Sequence, residues 1–224
     1  MEKMLPSEKL NEIPTIDIEF IEYQGVDQTL TDAWFARVQL RLATEEAFMD
    51  KGLGGKVYGI NQKVCAKAIE INPTDPLELQ QRKFSNTSYQ EAIVHFEISR
   101  LREKGLQCPA FLAYLQGVNH DVILMQKLSA IKLEDIILGK QKMPEHISKQ
   151  NLLDQLQEQT SLLHAHGFAH RDLESRNWMV DMRTQKLYMI DFGWAVKLDS
   201  EQIAAAVAKD NESLRKIIQD LTNL

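Results

Sequence analysis

The chain has 224 residues, 44% of them hydrophobic and 26% charged, with a formal net charge of −6. That length supports one domain or two small lobes with a true core. The acidic balance argues against a nucleic-acid binder, no apolar run reaches the length of a membrane span, and MEKMLPSEKLNEIP has no apolar signal core. The expectation is a soluble monomer in the cytoplasm, or one secreted without a signal peptide. Cys65 and Cys108 belong to no CxxC pair and read as reduced, buried thiols.

Residues 1 to about 14 read as a polar arm. Ile16, Ile18 and Phe20 alternate with acids and suggest a short half-buried strand. Leu30, Trp34, Val38 and Leu42 form a four-residue stripe, so Thr29 to about Ala43 reads as a helix packed on the main domain. A partner-docking helix is the alternative. Gly52, Gly54 and Gly55 then crowd the stretch KGLGGKVYG, followed by the apolar strand VCAKAI. A glycine hairpin lets backbone N–H groups approach phosphate, although a plain flexible hairpin has the same composition. Lys67 within an apolar strand requires an anionic partner, because burying an unpaired ammonium is costly.

Residues 71–88 read as a loop. Ser88 to Gly105 reads as a helix with Ile93, Phe96 and Leu101 on its apolar side. Its Glu97 and Glu91 are both candidate partners for Lys67. Phe111–Leu115 and Val122–Leu128 read as strands, Ile131–Leu138 as a short helix, and Pro144 to about Ala165 as a longer one stopped by Gly167. A last helix spans about Ser200 to Leu221.

Between these helices lies HAHGFAHRDLESRNWMVDMRTQKLYMIDFG, residues 164–193. Two apolar runs flank a polar turn, which predicts a hairpin with Asn177 and Asp191 at one end. Amide and carboxylate oxygens converging there suit Mg²⁺, a hard cation commonly shared with phosphate. Asp172 lies a few residues away, placed to accept a proton from an attacking hydroxyl. His164, His166 and His170 fit no strong zinc spacing and read as structural.

These segments resemble the protein-kinase-like superfamily. His170-Arg171-Asp172 with Asn177 is similar to H-R-D-x-x-x-x-N, Asp191-Phe192-Gly193 to the DFG motif, and VCAKAI to the strand of the phosphate-anchoring lysine. The resemblance implies an α+β, bilobal fold: an extension over 1–45, a small antiparallel-sheet N-lobe over 46–125, and a mainly helical C-lobe over 126–224. It implies ATP and Mg²⁺ as cofactors, Asp172 as catalytic base, Asn177 and Asp191 as metal ligands, and Lys67 on the α/β-phosphates paired with Glu97. Gly52, Gly54 and Gly55 would cover the phosphates, Val57 would pack on adenine, and Gln126 to Leu128 would form the adenine-binding hinge.

Several departures accompany it. Asp50 replaces the first loop glycine, Glu174 stands where serine/threonine kinases place a lysine, and Arg176 is more like the tyrosine-kinase pattern. About thirty residues follow the DFG motif and no APE motif is among them. The expectation is a truncated C-lobe with a constitutively or partner-assembled site, similar to small bacterial effector kinases. The implied function is phosphoryl transfer to a protein hydroxyl, serine or threonine before tyrosine, on a protein that in such effectors belongs to a host. A kinase-fold scaffold with weak catalysis and a sugar or small-molecule kinase are the alternatives.

Overall fold

The computed structural model describes residues 38, 40–52, 54–71, 85–116, 120–143, 145–198 and 203–224. The strand expected at 16–20, the first part of the helix expected at 29–43 and most of the 71–88 loop lie outside them. The chain divides into two units, one of Met1–Leu79 with Phe111–Lys127, the other of Gln80–Ala110 with Leu128–Leu224. Residues 80–110, read in sequence with the first lobe, group with the second unit. Their apolar side chains explain it: Ile98, Leu101, Leu106 and Cys108 share one buried cluster with Leu156, Leu163, Trp178 and Phe192.

The first unit is a five-stranded antiparallel sheet of β1 (Phe48–Gly52), β2 (Gly55–Gly59), β3 (Val64–Glu70), β4 (Phe111–Leu115) and β5 (His120–Gln126). The order is β1-β2-β3-β5-β4. β3 is central and buried over six consecutive residues, which is why VCAKAI reads as unbroken apolar sequence. Val38 packs with Ile60, Val64, Ala66, Leu115, Val122 and Leu124 on one face. Val57, Lys67 and Ile123 lie side by side across the strands, and directly paired residues share a face. Lys67 therefore stands on the face opposite that core.

The second unit begins with α1 (Ser88–Arg100), capped by Thr87: its hydroxyl accepts from Gln90 N at 3.2 Å while Thr87 N donates to Gln90 Oε1 at 3.0 Å. β6 (Ala130–Lys132) and α2 (Leu133–Ile137) replace the single expected helix at 131–138. The first residues extend because Ile131 pairs with Val180 and completes an edge of a three-stranded sheet with β8 (Trp178–Asp181) and β9 (Leu187–Met189). α3 (Lys149–Ala165) starts later than expected, since the Ser148 hydroxyl accepts from Asn151 N at 3.0 Å and sets the cap there. β7 (Phe168–Ala169) pairs with β10 (Val196–Lys197), and α4 (Ile203–Thr222) follows. No described helix is long and apolar enough to cross a membrane.

Candidate active site

In the first unit, the glycine hairpin and Lys67 form one constellation. Gly52 pairs with Gly55, whose φ is 139°, a conformation that disfavours a side chain. A Cβ added at Gly55 would lie 2.5 Å from Ala68 O, and one added at Gly54 would lie 3.2 Å from Lys67 Nζ. The ammonium thus rests against the turn, in space a side chain would occupy. Lys67 is 6% exposed. Turn amides beside a buried ammonium suit a phosphate, so the residues present fit a nucleotide's phosphoryl end. Val57 shares the Lys67 face, whereas Asp50 takes the amide of Lys51 at 2.9 Å. Gln126 ends β5, and Leu128 is the first residue of the second unit after it.

In the second unit, the loop before β8 is tied down from several directions. Arg171 and Asp191 both have left-handed backbones, φ 64° and 62°. The Asp210 carboxylate, on α4 and 1% exposed, accepts from His170 N and Arg171 N at 2.7 Å each and contacts His164 Nε2 at 3.0 Å. His170 Nε2 donates to Ile190 O at 3.0 Å, and Ile190 N donates to Asn177 O at 2.9 Å. The β8–β9 hairpin thereby brings Asn177 and Asp191 to one end.

Asn177 Nδ2 donates to Asp172 O at 2.7 Å and to Asp172 Oδ2 at 2.9 Å. Committing the amide nitrogen leaves the amide oxygen as the ligand end of the side chain. With the Asp191 carboxylate it offers two hard oxygens, the donor set that Mg²⁺ supplements with phosphate and water. Arg176 Nη2 bonds both Asp172 oxygens, at 2.8 and 3.0 Å, and so fixes the carboxylate's orientation. Among the described residues no three His, Cys, Asp or Glu side chains cluster as a metal site. His166 Nδ1 contacts Leu162 O at 2.9 Å, and His164 serves Asp210.

The acidic residues of α1 separate. Glu97 is half-exposed and takes Lys197 Nζ at 2.8 Å. Glu91 is 5% exposed, and its Oε2 lies 3.2 Å from where a Cβ on Gly193 would stand. Asp191 Oδ1 lies 3.5 Å from the same point. Asn86 N donates to Gly193 O, and Asn86 Nδ2 to Ala195 O at 2.7 Å. Phe192 is buried against the rings of His95 and His170, at 5.1 and 5.6 Å between centroids. The residue after Ile190 is thus positioned from α1 as well as from the hairpin.

Sequence reasoning missed Asp210. The signal was present: Ile203, Val207, Asp210, Leu214, Ile217 and Leu221 fall on one helical stripe, and an acid within an apolar stripe marks a buried polar contact.

Comparison with known proteins points the same way. A family model described as "Protein kinase domain" matches residues 49–211. The chain is 25% identical over 154 residues to Aurora kinase of Candida albicans, covering 67% of this chain and 27% of that protein. It is 32% identical over 102 residues to the O-antigen chain terminator bifunctional methyltransferase/kinase WbdD of Escherichia coli, covering 45% of this chain and 14% of that protein. A crystal structure of WbdD with a kinase inhibitor is 23% identical, with TM-score 0.55, covering 79% of this chain and 38% of that one. The chain therefore spans well under half the length of each of these relatives, and the structural likeness is one of fold.

Proposed function

This chain belongs to the protein kinase domain family, and on that premise we propose that it transfers the γ-phosphate of ATP to a hydroxyl of a protein substrate, serine or threonine in preference to tyrosine. Asp172 is the base that accepts the hydroxyl proton. Asn177 and Asp191 would hold Mg²⁺, which neutralises phosphate charge when bound. Lys67 and the amides around Gly52, Gly54 and Gly55 bind the phosphates, Val57 covers the adenine, and Gln126 and Leu128 flank the hinge. Of the two acids that the sequence offers on α1, Glu91 is the buried carboxylate and Glu97 is engaged by Lys197 at the surface.

The observation that carries this reading is the bonding of Asn177. Its amide nitrogen is spent on Asp172, so one side chain both orients the base and keeps its oxygen for a ligand, while Ile190 N on Asn177 O holds the residue before Asp191 against its backbone. Phosphoryl transfer needs little more than such positioning with charge neutralisation. Incubation with labelled ATP, Mg²⁺ and a cell lysate tests it. Asp172→Ala should lower protein labelling about 10²–10⁴-fold, the range for a positioned general base. Unchanged labelling in both Asp172→Ala and Asp191→Ala would overturn the assignment.

A sugar hydroxyl is the second reading. The observation favouring it is the 32% identity to a kinase named for terminating O-antigen chains. Label recovered in glycan or small-molecule fractions, and absent from protein, would select it.

A further inference from the structure

On the second unit lies a recess of about 340 Å³ whose lining includes Gln107, Asn151, Gln155, Glu158, Gln185 and Lys186 and none of the residues around Asp172. None of these side chains is apolar. Pockets for drug-like or nucleobase ligands are mostly hydrophobic and aromatic, so this lining excludes them.

Two glutamines of α3 tie the walls together. Gln155 accepts from Leu187 N at 2.8 Å and donates to Gln185 O at 2.8 Å and to Asn151 Oδ1 at 2.6 Å. Gln159 accepts from Gln107 N at 2.6 Å and donates to Gly105 O at 3.4 Å. One face of α3, the turn after Gly105 and the β8–β9 turn are thereby linked as one preformed frame. Gln185 is held there with φ 59°.

The remaining polar ends are not consumed by that frame. Gln107 Nε2 is spent on Gly105 O at 3.0 Å, which leaves its oxygen as an acceptor. Asn151 Oδ1 is spent on Gln155, which leaves its amide as a donor. The Glu158 carboxylate, the Lys186 ammonium and the Gln185 amide make no side-chain hydrogen bond within the described residues. The recess thus offers both acceptors and donors, and its one anion and one cation cancel. Each hydroxyl of a vicinal diol both donates and accepts, which matches such a mixed lining better than a purely anionic or cationic ligand does. At ~30 Å³ per water the recess holds about ten waters, enough for one rigid polyol to replace several at once.

We propose that this recess binds a neutral saccharide through its hydroxyls. The proposal is independent of the catalytic assignment, so its test uses no turnover. The side-chain amide signals of Gln107, Asn151 and Gln185 are followed by ¹⁵N NMR in the full chain. The probes are methyl glucoside, methyl mannoside, methyl galactoside and N-acetylglucosamine, with neutral, acidic and basic tripeptides as controls. At least one saccharide should shift these signals saturably with Kd of ~1–10 mM, the range set by ligand efficiency for so small a molecule. Glu158→Ala with Lys186→Ala, which leaves the Gln155 and Gln159 frame intact, should weaken that binding at least about 5-fold. Absence of saturable shifts up to about 50 mM for every saccharide, saturation by a tripeptide alone, or equal affinity in the double variant would overturn it.

Discussion

Asp210 carries three contacts on two oxygens, with both amides at 2.7 Å, and it is almost wholly buried. Backbone amides that donate to a buried carboxylate lose a full desolvation penalty when it goes. Asp210→Ala should therefore cost about 2–4 kcal/mol and lower the melting temperature by about 5–15 °C. Because the amides belong to His170 and Arg171, next to Asp172, the folded remainder should also turn over more slowly with little change in KM for ATP. A loss confined to stability would mean the loop holds its shape without the clamp. The two acids of α1 invite a paired experiment. Glu97→Gln removes an exposed ion pair and should shift stability by less than about 1 kcal/mol, with activity retained. Glu91→Gln should cost at least tenfold in kcat/KM, about 1.4 kcal/mol of transition-state binding, as expected for a buried carboxylate that packs against Gly193 beside Asp191. Equal effects in the two variants would remove Glu91 from the site. The choice of Glu97 rests on the resemblance of EISRLREKGLQCP to a helix end in small atypical kinases, whereas periodicity reads Ile93, Phe96 and Leu101 as the inner side of α1. The buried residues are Glu91, Ala92, His95 and Ile98. An acid and a histidine on the inner face carry no apolar signal, so periodicity was bound to pick the wrong side. The candidates Lys67, Asp172, Asn177 and Asp191 are read from fixed spacing, not from hydrophobicity.

At the scale of elements, local chemistry set most boundaries. The glycine hairpin, the central strand and the β8–β9 hairpin fall where composition puts them. The difference at 131–138 arose from pairing with β8, a contact distant in sequence that no local pattern announces. The same distinction separates two glycines of the hairpin. An alanine at Gly54 would meet only the end of the Lys67 side chain, which can move. An alanine at Gly55 would meet the Ala68 carbonyl at 2.5 Å with an unfavourable φ of 139°, and backbone cannot yield cheaply. Gly55→Ala should destabilise the sheet by about 1–3 kcal/mol, read as a lower urea midpoint. Gly54→Ala should leave the midpoint within about 0.5 kcal/mol and raise KM for ATP by displacing the ammonium. If Gly54→Ala unfolds the sheet and Gly55→Ala does not, the hairpin geometry is wrong.

Across the whole chain, each of the two units contains one buried thiol. Cys65 lies in the sheet unit, where burial pushes its pKa up to about 11, and Cys108 lies in the helical unit, where burial pushes it up to about 12. Both are free. A thiol whose folded pKa exceeds the unfolded value favours the native state below about pH 9. That contribution is lost as pH rises through 11 and 12. At pH 8 the thiolate fractions are ~10⁻³ and ~10⁻⁴, so both cysteines should resist iodoacetamide in the native protein. Urea should then expose them at different concentrations. Among the described residues the apolar cluster of the sheet unit is far smaller than that around Leu156, Trp178 and Phe192, and stability rises with the apolar area removed from water. Pulsed alkylation read by mass spectrometry should find Cys65 modified at lower urea than Cys108. Saturating ATP with Mg²⁺ should raise the Cys65 midpoint, because a ligand held by Lys67 and the glycine hairpin stabilises the unit that binds it by ~2.7 kcal/mol at 100 times Kd. Coincident exposure of the two thiols would show a single cooperative unit instead. A Cys65 midpoint indifferent to ATP would separate nucleotide binding from this sheet.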